Sequence, residues 1–597
     1  MEQDDPQPAL GWHAPGEAPA VLWDTDAPLP AALSEAIQRR LPAAPQPADD
    51  AADAPPAGPA AQAPAVAECA LEYTECCRAL GDHAGLKAIE PHLAALVRNC
   101  EDLAGTDAPA ELLPLIHRLR GSWVAVLYEL GRYAQGWAQA AELPPTSAAR
   151  LPAGASRELW IIQALLALET GRYAQAESAL ATVEGLGAPG DPPARLDWQL
   201  ALGRADLART RGHDQAAIEA YQALDLPGAP TWVQLCGLLG QARAWIACGH
   251  ADRAAPLVDA ARALATGTWD TGQVDLAAAE LALLAGQPDL AAEHAGSARQ
   301  AFAGELGDDC AAAAVAMLLA GQAAYARGAY ADAAGLIGAA TPALRAAYGP
   351  AHPHLVQAAM TQGFLDGIRG DTDSLIRHLS AATQAAGPLA ESSPVAAIGA
   401  DLLECALELA RGRAGRARAA AVDALELARS ALDAAHPLTA TCYDTVAECE
   451  RAQGRWSVAR VYSDLALALR QSLFGAEHPL TATSWEQLGH IAADSRDYPA
   501  ARDAFELAVR IRQVALGGTH PLSATAQFAL AQTYVALGDL TRAQAEAVAA
   551  LSGLERTHGT LHPHSRAARA LLGQFSSPLR RRWWIVRARL RRVHVPL

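Results

Sequence analysis

Lysine occurs once, at Lys87, and asparagine once, at Asn99, while arginine is abundant. That skew reads as the codon bias of a GC-rich, bacterial genome rather than a functional choice. Aromatic residues make up only 5% of the chain, and alternating runs of Val, Ile, Thr and aromatics are nearly absent, which argues against sheets. No stretch reaches the ~20 strongly apolar residues that a membrane-spanning helix needs. The most apolar, "AAAAVAMLLAGQAAYA" at 311–326, is dominated by alanine and follows Asp308 and Asp309. The opening "MEQDDPQPAL" is acidic and has no apolar core, unlike a secretory signal. Ten cysteines are scattered without framework spacing, as in a reducing compartment, so a soluble, cytoplasmic protein is expected. A nucleophile elbow, a Walker loop, a dinucleotide fingerprint and H-E-x-x-H are all missing, so the sequence argues against an enzyme and implies no cofactor.

What is present is alanine, within a hydrophobic fraction of 51%. Alanine is the best helix former and lets helix axes approach closely. At 597 residues the chain is too long for one ordinary core, unless it is a repeat array that grows lengthwise. Its net charge is −18, and since the last eighteen residues carry seven arginines and no acid, the remainder stands at about −25. An acidic body disfavours nucleic acid and favours basic partners, although solubility alone explains the acidity equally well.

The array announces itself in the second half. "HPLTAT" at 436–441 and at 478–483, "HPLSAT" at 520–525 and a further His-Pro at His562 are spaced 42 residues apart. Two periods before His436 lies another His-Pro, at His352. Turn glycines form a second series: Gly131, Gly171, Gly212, Gly249 and Gly286, then Gly328, Gly370, Gly412, Gly454 and Gly538, with Arg496 taking the glycine's place once. Their spacings run 40, 41, 37 and 37, then 42 throughout. A fixed period of this length is the mark of a repeat protein. Within one unit, two amphipathic helices flank the turn. In the unit 479–518, Ala501, Phe505, Leu507, Ala508, Ile511 and Val514 follow the stepping of one helical face. Neither helix can bury that face alone, so neighbouring units supply the other wall.

This glycine–aromatic–alanine pattern resembles the tetratricopeptide repeat, and the 42-residue version ending in G-x-x-H-P resembles the kinesin light chain subtype. The matching residues are Gly349 with His352-Pro353, Gly475 with His478-Pro479, Gly517 with His520-Pro521 and Gly559 with His562-Pro563, while Asp433 stands where a glycine would precede His436. The likeness is strong over 315–575 and weaker, as irregular repeats, over 108–314. It implies an all-α fold: a right-handed solenoid of about eleven helical hairpins, with a concave groove lined by the first helix of each unit. Proteins of this kind bind peptides or partner proteins and are not enzymes.

The His-Pro motif then reads as a junction. Glycine lets one helix end in a left-handed conformation, and proline suits the first turn of the next. The histidine between them bonds free backbone groups, a reading favoured over metal ligation because no carboxylate or cysteine stands at ligand spacing. The kinesin light chain pattern places an asparagine nine residues after the histidine, where it grips a ligand's backbone. Here those positions are Thr361, Thr445, Gln487 and Ala529, so the groove lacks that clamp. Asp444, Glu448, Trp485, Glu486, Gln487 and His490 are the candidates for a rebuilt partner-binding surface, suited to a basic or aromatic-bearing peptide. The plain alternative makes Trp485 a core residue.

Outside the repeats, 1–64 is rich in Pro, Ala and Asp and reads as a disordered arm, interrupted by a short amphipathic segment at 30–41. Residues 65–107 read as an extra helical hairpin or cap. Its Cys69, Cys76, Cys77 and His83 invite a metal, but Cys77 lies about 100° from Cys76 on a helix, and buried cysteines are the better reading. At 576–597 lies a basic, aromatic tail whose contact residues are Arg580, Arg581, Arg582, Trp583, Trp584, Arg587 and Arg589. Three destinations compete for it: the acidic body or a partner, an anionic membrane, and nucleic acid. The leading function is an interaction scaffold binding a protein or peptide. The alternatives are a ligand- or peptide-sensing regulator and a membrane-peripheral adaptor working through the tail.

Overall fold

A computed structural model of the chain describes residues 59–80, 82–104, 112–142, 153–186, 195–224, 228–433, 435–560 and 562–575. The arm before 59 and the tail after 575, with the contacts expected of them, lie outside the described residues. Those described form helices and no strand. An N-terminal hairpin comes first, α1 (Pro59–Leu80) and α2 (His83–Ala104). Five hairpins with irregular spacing follow: α3 (Leu112–Glu129) with α4 (Tyr133–Ala141), α5 (Ala153–Glu169) with α6 (Tyr173–Gly185), and α7 (Arg195–Thr210) with α8 (Asp214–Gln222). The last two of these are α9 (Thr231–Ala247) with α10 (Ala251–Leu264), and α11 (Thr268–Leu284) with α12 (Pro288–Leu306). Regular hairpins continue as α13 (Ala311–Ala326) with α14 (Tyr330–Tyr348), α15 (Pro353–Arg369) with α16 (Thr372–Ala390), and α17 (Pro394–Ala410) with α18 (Ala414–Ala431). Then come α19 (Pro437–Ala452) with α20 (Trp456–Phe474), α21 (Pro479–Asp494) with α22 (Tyr498–Leu516), and α23 (Pro521–Leu537) with α24 (Leu540–His558), before a final α25 (Pro563–Phe575). Each helix packs on its sequence neighbours, which makes an α-solenoid.

Helix α1 begins at Pro59, inside the stretch that composition assigns to the arm, because proline is favourable in a helix's first turn and alanines follow it. Its buried face runs through Val66, Ala67, Ala70, Thr74 and Cys77. That phase buries Cys69 and Cys77 but leaves Cys76 exposed, correcting the expectation that the cap's cysteines are all buried. Among the described residues no group of three or more metal-ligating side chains converges.

Inside the hairpins, small residues set the spacing. Gly489 on α21 admits Phe505 of α22 so closely that an added Cβ would lie 2.7 Å from its ring. Helix α22 also corrects the sequence reading. Ala501, Phe505, Ala508 and Ile511 are buried, but Val514 is 79% exposed and Arg512 only 2%. The arginine goes inward because it has two partners there: Glu486 at 2.8 Å and the carbonyl of Leu522, to which it donates at 2.9 Å. Arg470, one 42-residue period earlier, does the same with Asp444 and with Ser484 Oγ at 2.7 Å. At the hairpin turns the chain takes a left-handed backbone, and Arg496 adopts it too, at φ 65°, where the series lacks its glycine.

The junction histidines act as the motif suggests. Nδ1 of His352, His436, His478, His520 and His562 each accepts from the backbone N–H two residues on, at 3.1–3.2 Å. The opposite ring nitrogen does something the period does not reveal. Nε2 of His478 donates to Leu284 O at 2.9 Å, that of His520 to Ala326 O at 2.7 Å, and that of His562 to Ile368 O, each across 194 residues. Gly328 faces Pro521 in the same seam, where an added Cβ would come within 2.4 Å of the proline ring. The turn of each hairpin thus receives the first helix of the hairpin five units later. Ser393 Oγ donates to Thr210 O at 2.9 Å and His436 Nε2 sits 3.6 Å from Asp214, continuing the seam towards the N-terminus. It reaches α4 where the rings of Tyr133 and Tyr348 lie 5.2 Å apart, with His352 stacked on Tyr348 at 4.2 Å. Successive superhelical turns are therefore in contact, and the first turn encloses an interior.

Candidate functional site

The six residues singled out on the first helices do not form one surface. Asp444 and Glu486 occupy equivalent positions in successive units and are spent on the buried arginines Arg470 and Arg512. Burial pushes the Asp444 carboxyl up against the pull of Arg470. Burial also raises Glu448, but Arg451 at 2.7 Å and the amide of Gln487 at 2.8 Å outweigh it and hold the carboxyl low. His490 packs edge-on against Phe505, and burial lowers its pKa. Arg451 joins Glu448 to Asp494 and Gln487 donates to Glu448, which together tie α19 to α21. Trp485 lies apart from these groups, half-buried in a cavity of about 1010 Å³ between α20, α21 and α22. None of the other five lines that cavity, whose rim carries the exposed Trp456 and Val458.

A different constellation forms inside the first superhelical turn. The first helices α3, α5, α7, α9 and α11 converge on a cavity of about 390 Å³, closed at one side by His83 of α2. His83 is fixed there by Glu305 at 3.0 Å and by the ring of Trp269, 5.2 Å away. Tyr128, Glu169, Asp206, Arg243, Trp232 and Trp269 supply its polar and aromatic walls. Asp206 accepts from Tyr221 Oη at 2.6 Å and from Arg209 at 3.3 Å. The Arg243 guanidinium stands 3.6 Å from Glu280. Glu169 has no hydrogen-bond or ion-pair partner among the described residues, and burial together with the Asp206 charge raises its pKa to about 7. The side chain is half-buried by accessible surface yet surrounded by protein, because it opens into an enclosed interior. Cys236 shows the same combination: its thiol is exposed, yet burial pushes it up to about 11. Nearby, burial lowers His354 to about 4, and the Arg243 and Arg209 charges add to it.

Sequence reasoning passes over this region because its units vary in length and carry no His-Pro to index them. A usable signal exists all the same. Asp206, Arg243 and Glu280 each stand six residues before a turn glycine, so counting back from Gly212, Gly249 and Gly286 aligns three charged residues on successive first helices.

The tetratricopeptide repeat model matches residues 445–513 and 480–556, within the strictly periodic half. None of the curated proteins matches the sequence. Among solved structures, the chain is similar to BtubC (BKLC) from P. vanneervenii at 20% identity, over 42% of this chain and 94% of that one, with a TM-score of 0.29. It is similar to a Rap protein complexed with competence and sporulation factor at 12% identity, over 59% and 99%, with a TM-score of 0.39. Kinesin light chain repeats of Podosopora anserina align at 18% identity over 34% and 98%, with a TM-score of 0.27. The chain thus carries tetratricopeptide repeats over 445–556, and the glycine-marked turns and stacked hairpins continue the same all-α repeat architecture through the other described residues.

Proposed function

We propose that the chain is an interaction scaffold that receives a segment of a partner protein inside its first superhelical turn. The observation that carries this reading is the convergence of five successive first helices on one water-accessible cavity with aromatic walls and an uncommitted carboxyl. Cavities of about 300–1,000 Å³ with a few convergent polar groups are the usual form of a binding site. No helix among the described residues is long and apolar enough to cross a membrane, so the scaffold does not rest on a spanning segment there. Binding inside a closed turn also links occupancy to the seam, since a segment that spreads the first helices strains the Tyr133–Tyr348 contact. That linkage favours the peptide-sensing regulator as a second reading.

The test is to replace Trp232 with a photo-crosslinking amino acid in the full chain and recover partners from the native organism by mass spectrometry. Crosslinks from position 232 to a defined partner segment are expected. If the same partner instead crosslinks from Trp456, on the outer cavity between α20 and α22, the interior is not the binding face.

A further inference from the structure

Resting on that scaffold reading, we propose that the interior cavity takes a basic side chain, an arginine or lysine of the bound segment, on the carboxylate of Glu169. The other acids around the cavity each have a partner, Asp270 only through the backbone N–H of Thr266 at 3.4 Å. Asp206 is held by Tyr221 and Arg209, Glu129 accepts from Arg78 at 3.2 Å, and Arg243 lies against Glu280. Glu169 alone among these acids has no such partner among the described residues. The walls beside it are Tyr128, Trp232 and Trp269, flat apolar surfaces along which a long basic side chain lays its stem, with the cation free to sit over a ring. A guanidinium fits best, because its planar fork meets a carboxylate bidentately and is weakly hydrated.

Burial raises Glu169 to about 7, so the empty site holds the carboxyl partly protonated, and an incoming cation displaces that proton. Binding therefore strengthens as pH rises through about 7, by up to tenfold per unit below that value. The groups facing Glu169 are Tyr128 of α3, Tyr133 of α4, Tyr173 of α6, Asp206 and Arg209 of α7, Arg243 of α9 and Tyr348 of α14. Burial raises all four tyrosines, which stay neutral over this range. His83 stands at the rim on Glu305, and the Glu169→Gln variant separates any response of its own.

Cys236 lines the cavity and is exposed, while Cys76, exposed on α1, serves as the internal reference. The full-length protein is alkylated with iodoacetamide in the presence of acetyl-Ala-Arg-Ala amide or its citrulline counterpart, up to about 10 mM, enough to detect millimolar binding. Modification at both cysteines is read by peptide mass spectrometry. The arginine peptide should slow alkylation at Cys236 severalfold and leave Cys76 unchanged, with protection greater at pH 8 than at pH 6. The citrulline peptide should protect neither, and Glu169→Gln should abolish both the protection and its pH dependence. Equal protection by citrulline, persistence in Glu169→Gln, or no protection by arginine overturns the assignment. If Trp232 crosslinks still recover a partner segment in that case, the scaffold reading survives and only the cation chemistry falls. If the crosslinks are lost as well, both fall.

Discussion

The seam between superhelical turns makes a measurable claim about His520. Its Nδ1 accepts from Leu522 N–H at 3.2 Å, and its Nε2 donates to Ala326 O at 2.7 Å, so one neutral ring serves a helix start and a helix end 194 residues apart. Loss of an N-cap side chain costs about 1 kcal/mol, and loss of one net hydrogen bond about another 1 kcal/mol. Ala326 is only half-buried, so water replaces the lost donor and no larger penalty applies. His520→Ala should therefore cost about 2 kcal/mol, whereas His520→Asn, whose shorter side chain still caps, should lose only the bridge. Global melting is a poor assay for a long array, whose unfolding is not two-state. Native-state hydrogen exchange resolves the two ends separately. The amides of Arg327, Gly328 and Ala329, bonded back into the last turn of α13, report the bridge, and Leu522 reports the cap. The alanine variant should exchange about fivefold faster at 327–329, with the same factor or more at 522, since each 1.4 kcal/mol is tenfold. The asparagine variant should show the first effect without the second. Unchanged protection at 327–329 in both variants would refute the seam.

The remaining expectations concern the same contacts. Burial lowers His352, His478 and His520, and brings His354 to about 4. The folded state therefore binds fewer protons than the unfolded one below about 6.5, so these groups contribute stability above 6.5 that is lost as pH falls towards their folded values. Small-angle scattering should show the superhelix loosening between pH 6.5 and 4. Gly328→Ala and Gly412→Ala both place a side chain at positive φ, 78° and 73°, but only the first meets Pro521, at 2.4 Å, while the second finds nothing within 4 Å among the described residues. Gly412→Ala should cost about 1–2 kcal/mol and Gly328→Ala clearly more, with hydrogen exchange rising at 522–524 only in the latter. Glu486→Ala strands Arg512, 2% exposed, and should cost about 3–5 kcal/mol. The double variant Glu486→Leu with Arg512→Met should recover most of that in native-state hydrogen exchange across α21–α24.

How far the sequence reaches depends on the range of the interaction that places each residue. The His-Pro junction is a contact between residues two apart, and the repeated hexamers display it directly. The seam joins the same histidines to carbonyls five hairpins away, and that meeting depends on the small rotation between neighbouring units accumulated over a whole turn, which no local pattern encodes. Val514 and Arg512 show the same limit within one helix. Apolar stepping assigns the valine inward, but an arginine with an acid and a carbonyl waiting for it takes the buried place.

The candidate site divides along a related line. In the strictly periodic half, Arg470 and Arg512 stand one period apart and each reaches back to the acid of its own first helix, so Asp444 and Glu486 hold their units together. A charge that recurs with the period is explained first by an interface that recurs with the period. In the irregular half, unit lengths of 37–41 residues break that equivalence, and side chains at corresponding depths need not serve the same tie. Glu169 follows from this: Glu129 precedes its turn glycine by the same two residues and is held by Arg78, yet Glu169 meets no arginine at bonding distance among the described residues. An acid left unsatisfied where its repeat equivalent is paired is costly to keep in an enclosed cavity, and a partner that neutralises it regains that cost as binding energy. The irregular repeats are therefore the place to look for selectivity, and the regular ones for the mechanical closure that keeps the first turn's interior enclosed.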